Sequence, residues 1–248
     1  MKKYDFLRKV TKGFQVGLLS CLSCSAFVSC NKDDSGKQIL EFIMPVQVNE
    51  YLGTDTIVAN VNVSAQISQE KRTITYVMPL DVKNIDSITP VIKLSSNATI
   101  KPDTNTPQDF DGKVVLYTVT AQDGSTSIYT ASFTFAEKPE ITNILPFYVK
   151  NDQTLTITGG NLKLEGFKTY VKFIDHGGYA NDVVPATYVE ATPNDDGTSI
   201  TFKVPSNLPL RGYYVYVMAR GYEIAVKGIA DYYGEFDYIY VTDNVPNQ

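Results

Sequence analysis

Two short stretches mix aromatic rings with hydrogen-bonding side chains around glycine. Residues 174–182 hold Asp175, His176, Tyr179 and Asn181, and residues 231–238 hold Tyr232, Tyr233, Glu235, Asp237 and Tyr238. That mixture suits carbohydrate: a sugar ring offers an apolar C–H face that stacks on tyrosine, while its hydroxyls take carboxylate and amide partners in the same plane. Tyr214 with Tyr216, and Tyr238 with Tyr240, lie two apart, so each pair projects from one face of its strand. The pairs would form a flat platform if the strands are neighbours. A plainer reading stands beside this one: tyrosine is a good strand former, often half-buried with its hydroxyl at the rim, and needs no ligand. His176, the single histidine, equally suits a solvated or capping position beside Gly177 and Gly178.

Bond-making chemistry has little to work with. A serine or cysteine triad requires a histidine base, and no nucleophile motif surrounds any serine. A zinc site needs several His or Cys ligands, so neither a metal nor another cofactor is expected. Neither a phosphate-binding loop nor a dinucleotide fingerprint occurs, although Gly159-Gly160 and Gly177-Gly178 invite the search. A carboxylate pair for glycoside hydrolysis is open in principle to Asp175, Asp182, Asp231, Glu235 and Asp237. It would need a cleft that raises one pKa, which a small sandwich without insertions rarely builds. The expectation is a protein that is not an enzyme. Asp103, Asp109 and Asp111 share a loop, but loop acids without ligand spacing are ordinarily solvated.

The elements that position these residues begin after a targeting segment. Lys2, Lys3, Arg8, Lys9 and Lys12 precede an uncharged, largely apolar run over residues 13–29, the pattern of a cleaved secretory signal. The run is short for a membrane span, which needs roughly 20 apolar residues. All three cysteines, Cys21, Cys24 and Cys30, lie in or at the end of it, so the following 218 residues contain no disulfide and no thiolate. Phe27-Val28-Ser29-Cys30 resembles a bacterial lipobox, and so does Leu18-Leu19-Ser20-Cys21. Cys30 is the better lipidation site because the polar tract 31–37 follows it, whereas cleavage at Cys21 would leave an apolar N-terminus. Two or three acyl chains anchor a protein stably. Lys32-Asp33-Asp34 resembles the Bacteroidetes signal that routes lipoproteins to the outer face of the outer membrane, which implies a chain facing the exterior; a solvated linker is the alternative.

Removing residues 1–29 takes away five basic residues and one acidic one, moving the formal charge from −5 to about −9. An acidic mature chain argues against nucleic acid or anionic lipid as partner. Tyrosine is abundant, at 17 residues, and Thr, Val and Ile crowd into short alternating runs between Gly, Pro, Asn and Asp, which predicts an all-β protein with helix only as short turns. Its length suits two β-sandwich domains in tandem, at 38–136 and 137–248, after a signal at 1–29 and a tether at 30–37.

In the first domain, strands are predicted at 39–44, 56–67, 72–77, 91–94, 114–120 and 129–135, with a hairpin turn at 122–125. Thr89-Pro90-Val91-Ile92-Lys93-Leu94, Tyr117-Thr118-Val119-Thr120-Ala121 and Asp123-Gly124-Ser125 resemble a Bacteroidetes extracellular Ig-like family, which implies a spacer or presentation role. In the second domain, Leu155 and Ile157 should point into the core, Thr154, Thr156 and Thr158 out, and Gly159-Gly160 should turn the chain with positive φ. Gln153-Thr154-Leu155-Thr156-Ile157-Thr158-Gly159-Gly160-Asn161-Leu162 resembles the opening of IPT/TIG Ig-like domains, whose members are structural or recognition modules. The whole arrangement resembles the glycan-binding lipoproteins that work beside SusC/SusD-type outer-membrane importers. That resemblance implies capture of a polysaccharide or oligosaccharide by the second domain. The alternatives are a structural or protein-interaction lipoprotein that docks by strand addition, and the carboxylate hydrolase.

Overall fold

The computed structural model describes residues 36–177, 185–230 and 234–245. Every regular element among them is a β-strand. The first eight are β1 (Ile39–Leu52), β2 (Asp55–Ser64), β3 (Gln66–Ser68), β4 (Thr73–Met78), β5 (Val91–Leu94), β6 (Thr99–Lys101), β7 (Val115–Thr120) and β8 (Thr126–Phe135). Six further strands are β9 (Glu140–Ile141), β10 (Leu145–Pro146), β11 (Tyr148–Val149), β12 (Thr154–Gly160), β13 (Thr169–Asp175) and β14 (Thr187–Pro193). The last six are β15 (Ser199–Lys203), β16 (Gly212–Ala219), β17 (Tyr222–Val226), β18 (Gly228–Ala230), β19 (Gly234–Phe236) and β20 (Ile239–Val241).

The first sandwich packs a sheet of order β2-β1-β5 on one of order β3-β4-β8-β7-β6. Alternation decides which side chains meet between them: Phe42, Met44 and Val46 from one sheet face Ile74, Tyr117, Val119 and Ala131 from the other. Leu116, one step out of phase, is 57% exposed. The hairpin predicted at 122–125 forms, with Gly124 at φ 84° and its N–H on the Ala121 carbonyl at 3.0 Å. Three strand boundaries differ from expectation. β6 is additional, and the run 56–67 breaks into β2 and β3 at Ala65, whose N–H bonds Phe42 instead. β1 continues eight residues past Met44, because β2 pairs with it from Ile43 to Leu52 and supplies the ladder that short-range alternation does not reveal.

The second sandwich is a sheet folded over on itself. Thr187–Ala191 of β14 pair with β13, and Thr192 and Pro193 pair with β15, so one strand serves both layers. Leu155, Ile157, Ile200 and Phe202 of one layer thereby share a core with Val171, Phe173, Val215 and Val217 of the other. Leu155 and Ile157 are buried and Thr154, Thr156 and Thr158 exposed, as alternation requires. The glycine pair behaves differently from expectation: Gly159 and Gly160 extend β12, and positive φ falls on Asn161 at 57°. A Cβ on Gly159 would lie 1.8 Å from the Glu140 carbonyl oxygen, so this glycine admits β9 rather than turning the chain.

Residues 36–248 form one compact unit, and an arm of the first sandwich helps to make it so. The β1–β2 hairpin runs beyond its own core, and its tip meets β14, where Tyr188 N–H donates to Gly53 O at 2.7 Å. Lys168 ties the arm down through Glu50 at 2.6 Å and reaches Glu190 of β14 at 3.2 Å.

Candidate functional site

With Val171 and Phe173 of β13 in the core, Tyr170, Lys172 and Ile174 face outward. The register places Tyr188 and Tyr216 on either side of Lys172, and Tyr214 beside Ile174. Lys172 Nζ lies 6.0 Å from the Tyr188 ring centroid and 5.7 Å from that of Tyr216, and Glu223 holds it at 3.0 Å. A cation within about 6 Å of both ring centroids is attracted to each ring and ties the two tyrosines to the same strand. Among the described residues, this outer face of β14, β13 and β16 carries three half-exposed tyrosines, Tyr188, Tyr214 and Tyr216.

The face ends where β13 runs out. His176 N–H donates to Gly212 O at 3.0 Å, and its ring lies 3.9 Å from that of Tyr238 and 4.8 Å from that of Tyr214. Gly212 makes room for this cluster, since a Cβ there would come within 3.1 Å of the Tyr238 ring and 3.3 Å of His176 Cβ. Behind Tyr238 stand Phe147, edge-on at 5.3 Å, and Phe236 at 5.7 Å. Tyr240 sits opposite Gly212 and meets Tyr148 at 6.3 Å.

The structure therefore brings together the two segments singled out in the sequence, through His176 and Tyr238. Tyr179, Asn181, Tyr232 and Tyr233 lie outside the described residues, as does Cys30. Asp175 is placed beside the cluster but engaged by the scaffold: Arg211 donates to it at 2.8 Å, Gly177 N–H at 3.1 Å, and its side chain is 10% exposed. Its role is to hold the start of the loop. Glu235 pairs with Lys227 at 2.8 Å, and Asp237 is exposed. Tyr214 and Tyr216 share a face as expected. Tyr238 precedes β20 in a bend, and its ring turns over Gly212 rather than rising from a strand beside Tyr240.

Three contributors were not singled out in the sequence: Lys172, Tyr188 and Tyr51. The alternation of Tyr170-Val171-Lys172-Phe173 carries a signal for the first. Nothing local marks the other two, because Tyr51 reaches Tyr188 only through the arm. Burial raises the pKa of the Tyr213 hydroxyl, inside the sandwich behind this face, to about 12, with Arg211 opposing the rise and Asp175 adding to it. Its hydroxyl donates to Pro209 O at 3.0 Å and stays neutral. Among the described residues no group of three His, Cys, Asp or Glu gathers as a metal site.

Residues 54–133, fewer than half of the chain, match the family described as SGBP, N-terminal, where SGBP denotes surface glycan-binding protein. No curated protein sequence matches significantly. Among solved structures, similarity extends to a provisionally described secreted protein of Bacteroides fragilis, at 16% identity and TM-score 0.30, over 42% of this chain and 98% of that one. SGBP-B of the Bacteroides ovatus mixed-linkage glucan utilization locus, solved with a mixed-linkage heptasaccharide, aligns at 12% identity and TM-score 0.28, over 69% of this chain and 43% of that one. A Bacteroides thetaiotaomicron protein provisionally described as a glycoside hydrolase aligns at 14% identity and TM-score 0.32, over 85% and 98%. What the comparisons establish is that residues 54–133 of this chain are similar to the N-terminal region of surface glycan-binding proteins.

Proposed function

We propose that the protein is a noncatalytic, cell-surface glycan-binding lipoprotein that captures polysaccharide for an outer-membrane importer of the SusC/SusD type. In this reading Cys30 carries the lipid, 30–37 is the tether, 38–136 is an Ig-like spacer domain and 137–248 is an IPT/TIG-like domain that binds the glycan. The observation that carries it is the contact of His176 with both Tyr238 and Tyr214, which joins the described ends of the two segments to the row of tyrosines on the outer sheet face. Aromatic rings with hydroxyl and imidazole groups at their rims match the alternating apolar and polar character of a sugar chain. The family match over residues 54–133 supports the glycan and the cell surface. The absence of catalysis is supported by the pairing of Asp175 with Arg211 and of Glu235 with Lys227, which occupies carboxylates that a hydrolase would use.

Affinity electrophoresis of the mature chain through a panel of neutral and acidic polysaccharides tests this. At least one should retard it, and the Tyr214→Ala/Tyr238→Ala double variant should bind about tenfold more weakly or worse. Silence across the panel overturns the proposal, and mass spectrometry of the membrane-extracted protein checks the acyl chains on Cys30.

A second reading rests on β2. Among the described residues its sole strand partner is β1, no charge or proline interrupts residues 56–64, and Ile57 and Val58 are 45% and 59% exposed. Such an edge accepts a strand from another protein. Co-purification with a membrane partner, undiminished by loss of Tyr214 and Tyr238, would favour it.

A further inference from the structure

A cleft of about 590 Å³ lies between the β1–β2 arm and the second sandwich, outside the face described above. Its size falls in the range of small-molecule sites. Tyr51 and Tyr170 line it, with rings meeting edge-on at 5.1 Å, and Phe167 and Tyr222 add further aromatic surface.

The walls are fixed. β1 and β2 pair through ten successive residues, from Ile43↔Ser64 to Leu52↔Asp55. The Arg220-Gly221 turn between β16 and β17 is pressed on the chain at Leu80, whose N–H donates to Arg220 O at 2.9 Å. A Cβ on Gly221 would stand 2.4 Å from Asp81 N, so no other residue fits there unless the wall moves. A site whose shape exists before binding loses little free energy to ordering.

Most charges in the lining are engaged: Arg220 donates to Glu137 O at 3.2 Å, and the Asp81 carboxyl is the one left outside an ion pair among the described residues. Lys168 is taken by Glu50 and Glu190, and Glu223 by Lys172. An anionic ligand would meet the Asp81 carboxyl or have to break one of these pairs, and either is costly in a concave site. Beside that carboxyl, amide chemistry remains available. Asn60 and Asn62 lie two apart on β2 and so share a face, and their carboxamides hydrogen-bond to nothing else among the described residues. A carboxamide offers both donor and acceptor, the complement of a hydroxyl.

We infer that this cleft is a second carbohydrate subsite, which takes an uncharged sugar against Tyr51, Phe167 and Tyr222 with its hydroxyls on Asn60 and Asn62. It rests on the glycan-binding function proposed above and extends it. Tyr51 touches both regions, stacking on Tyr188 at 4.4 Å, so the cleft opens onto the end of the outer face. From Tyr170 to His176 the track is roughly 20 Å long, at about 3.3 Å per strand residue. One extended chain can occupy both regions.

Titration calorimetry of the mature chain with cellohexaose, xylohexaose and mannohexaose, and with oligogalacturonate as the anionic counterpart, tests the inference. At least one neutral hexasaccharide should bind more tightly than oligogalacturonate. The Asn60→Ala/Asn62→Ala variant should weaken it about tenfold, the scale of one or two lost hydrogen bonds, with an unchanged melting midpoint because both side chains are exposed. The Tyr214→Ala/Tyr216→Ala variant reports on the outer face alone. If the asparagine variant binds as the unaltered chain does while the tyrosine variant weakens, the cleft is not a subsite and the outer-face reading survives. If only the asparagine variant weakens, the cleft stands and the outer face fails. Tighter binding of oligogalacturonate overturns the uncharged assignment, and absence of binding by every neutral hexasaccharide overturns the inference itself.

Discussion

Tyr51 of β1 stacks on Tyr188 of β14 with ring centroids 4.4 Å apart and planes 23° from parallel. The contact closes the tip of the arm on β14 at the residue where Tyr188 N–H already bonds Gly53 O. It covers a stretch of β14 edge that β15 does not reach, since β15 joins only at Thr192. Tyr170 completes the cluster and, so covered, is only 4% exposed although it points away from the core of its own sandwich.

Tyr51→Ala should therefore release the arm as well as one ring. The expected loss is about 2 kcal/mol, less than a fully buried aromatic residue because Tyr51 is half-buried. Urea denaturation measures the loss, and limited proteolysis should show faster cleavage near Gly53. A variant as stable and as resistant as the unaltered chain would show that the arm does not brace the second sandwich.

Neighbouring glycines should differ sharply. Gly159→Ala drives a methyl group into the Glu140 carbonyl and must displace β9, whereas nothing lies within 4 Å of a Cβ on Gly160. Gly159→Ala is expected to lower the melting midpoint by roughly 5 °C. Gly160→Ala should stay near the unaltered value, and calorimetric melts of both variants make the comparison.

Gly212→Ala should separate binding from stability. The new methyl group meets the ends of side chains, the Tyr238 ring and His176 Cβ, not backbone. Those groups can shift by a few tenths of an ångström, so the fold should persist while the contact between the His176 and Tyr238 rings is disturbed. Glycan affinity should fall several-fold, about 1 kcal/mol, with a melting midpoint within about 2 °C of the unaltered chain.

Asp81 gives a pH signature. Burial raises its pKa, against hydrogen bonds from its own backbone and that of Asn49 and the pull of Lys83. A carboxyl that holds its proton more tightly when folded stabilises the fold fully below its unfolded pKa of ~3.9 and loses that contribution as pH rises through the folded value. Asp81→Asn keeps an acceptor and removes the charge. It should gain stability over the unaltered chain at neutral pH, and the gain should shrink towards zero below about pH 4. Urea midpoints across that range supply the test, and a gain that grows on acidification would reverse the assignment.

Period-two alternation was enough to place Leu155 and Ile157 inside, because each lies on a strand with one buried face. The same signal could not show that β14 passes from one layer to the other, since that depends on partners far along the chain. Turn chemistry was legible at Asp123-Gly124 and misleading at Gly159-Gly160, where small size admits a neighbouring backbone rather than a positive φ. At the candidate site, composition identified His176 and Tyr238 as members of two unusual segments, but their contact depends on the bend before β20. Asp175 read as a ligand because a carboxylate beside aromatic rings looks available; only Arg211, 36 residues away, reveals that it is occupied.

The hairpin that leaves the first sandwich to lean on the second makes the two halves poor candidates for mix-and-match engineering. A fragment starting near residue 137 would lay bare the rings of Tyr170 and Tyr188 and an unpaired run of β14, the ingredients of self-association. Transplanting the distal half onto a different stalk would thus require carrying residues 39–64 along, or replacing their cover with an equivalent surface.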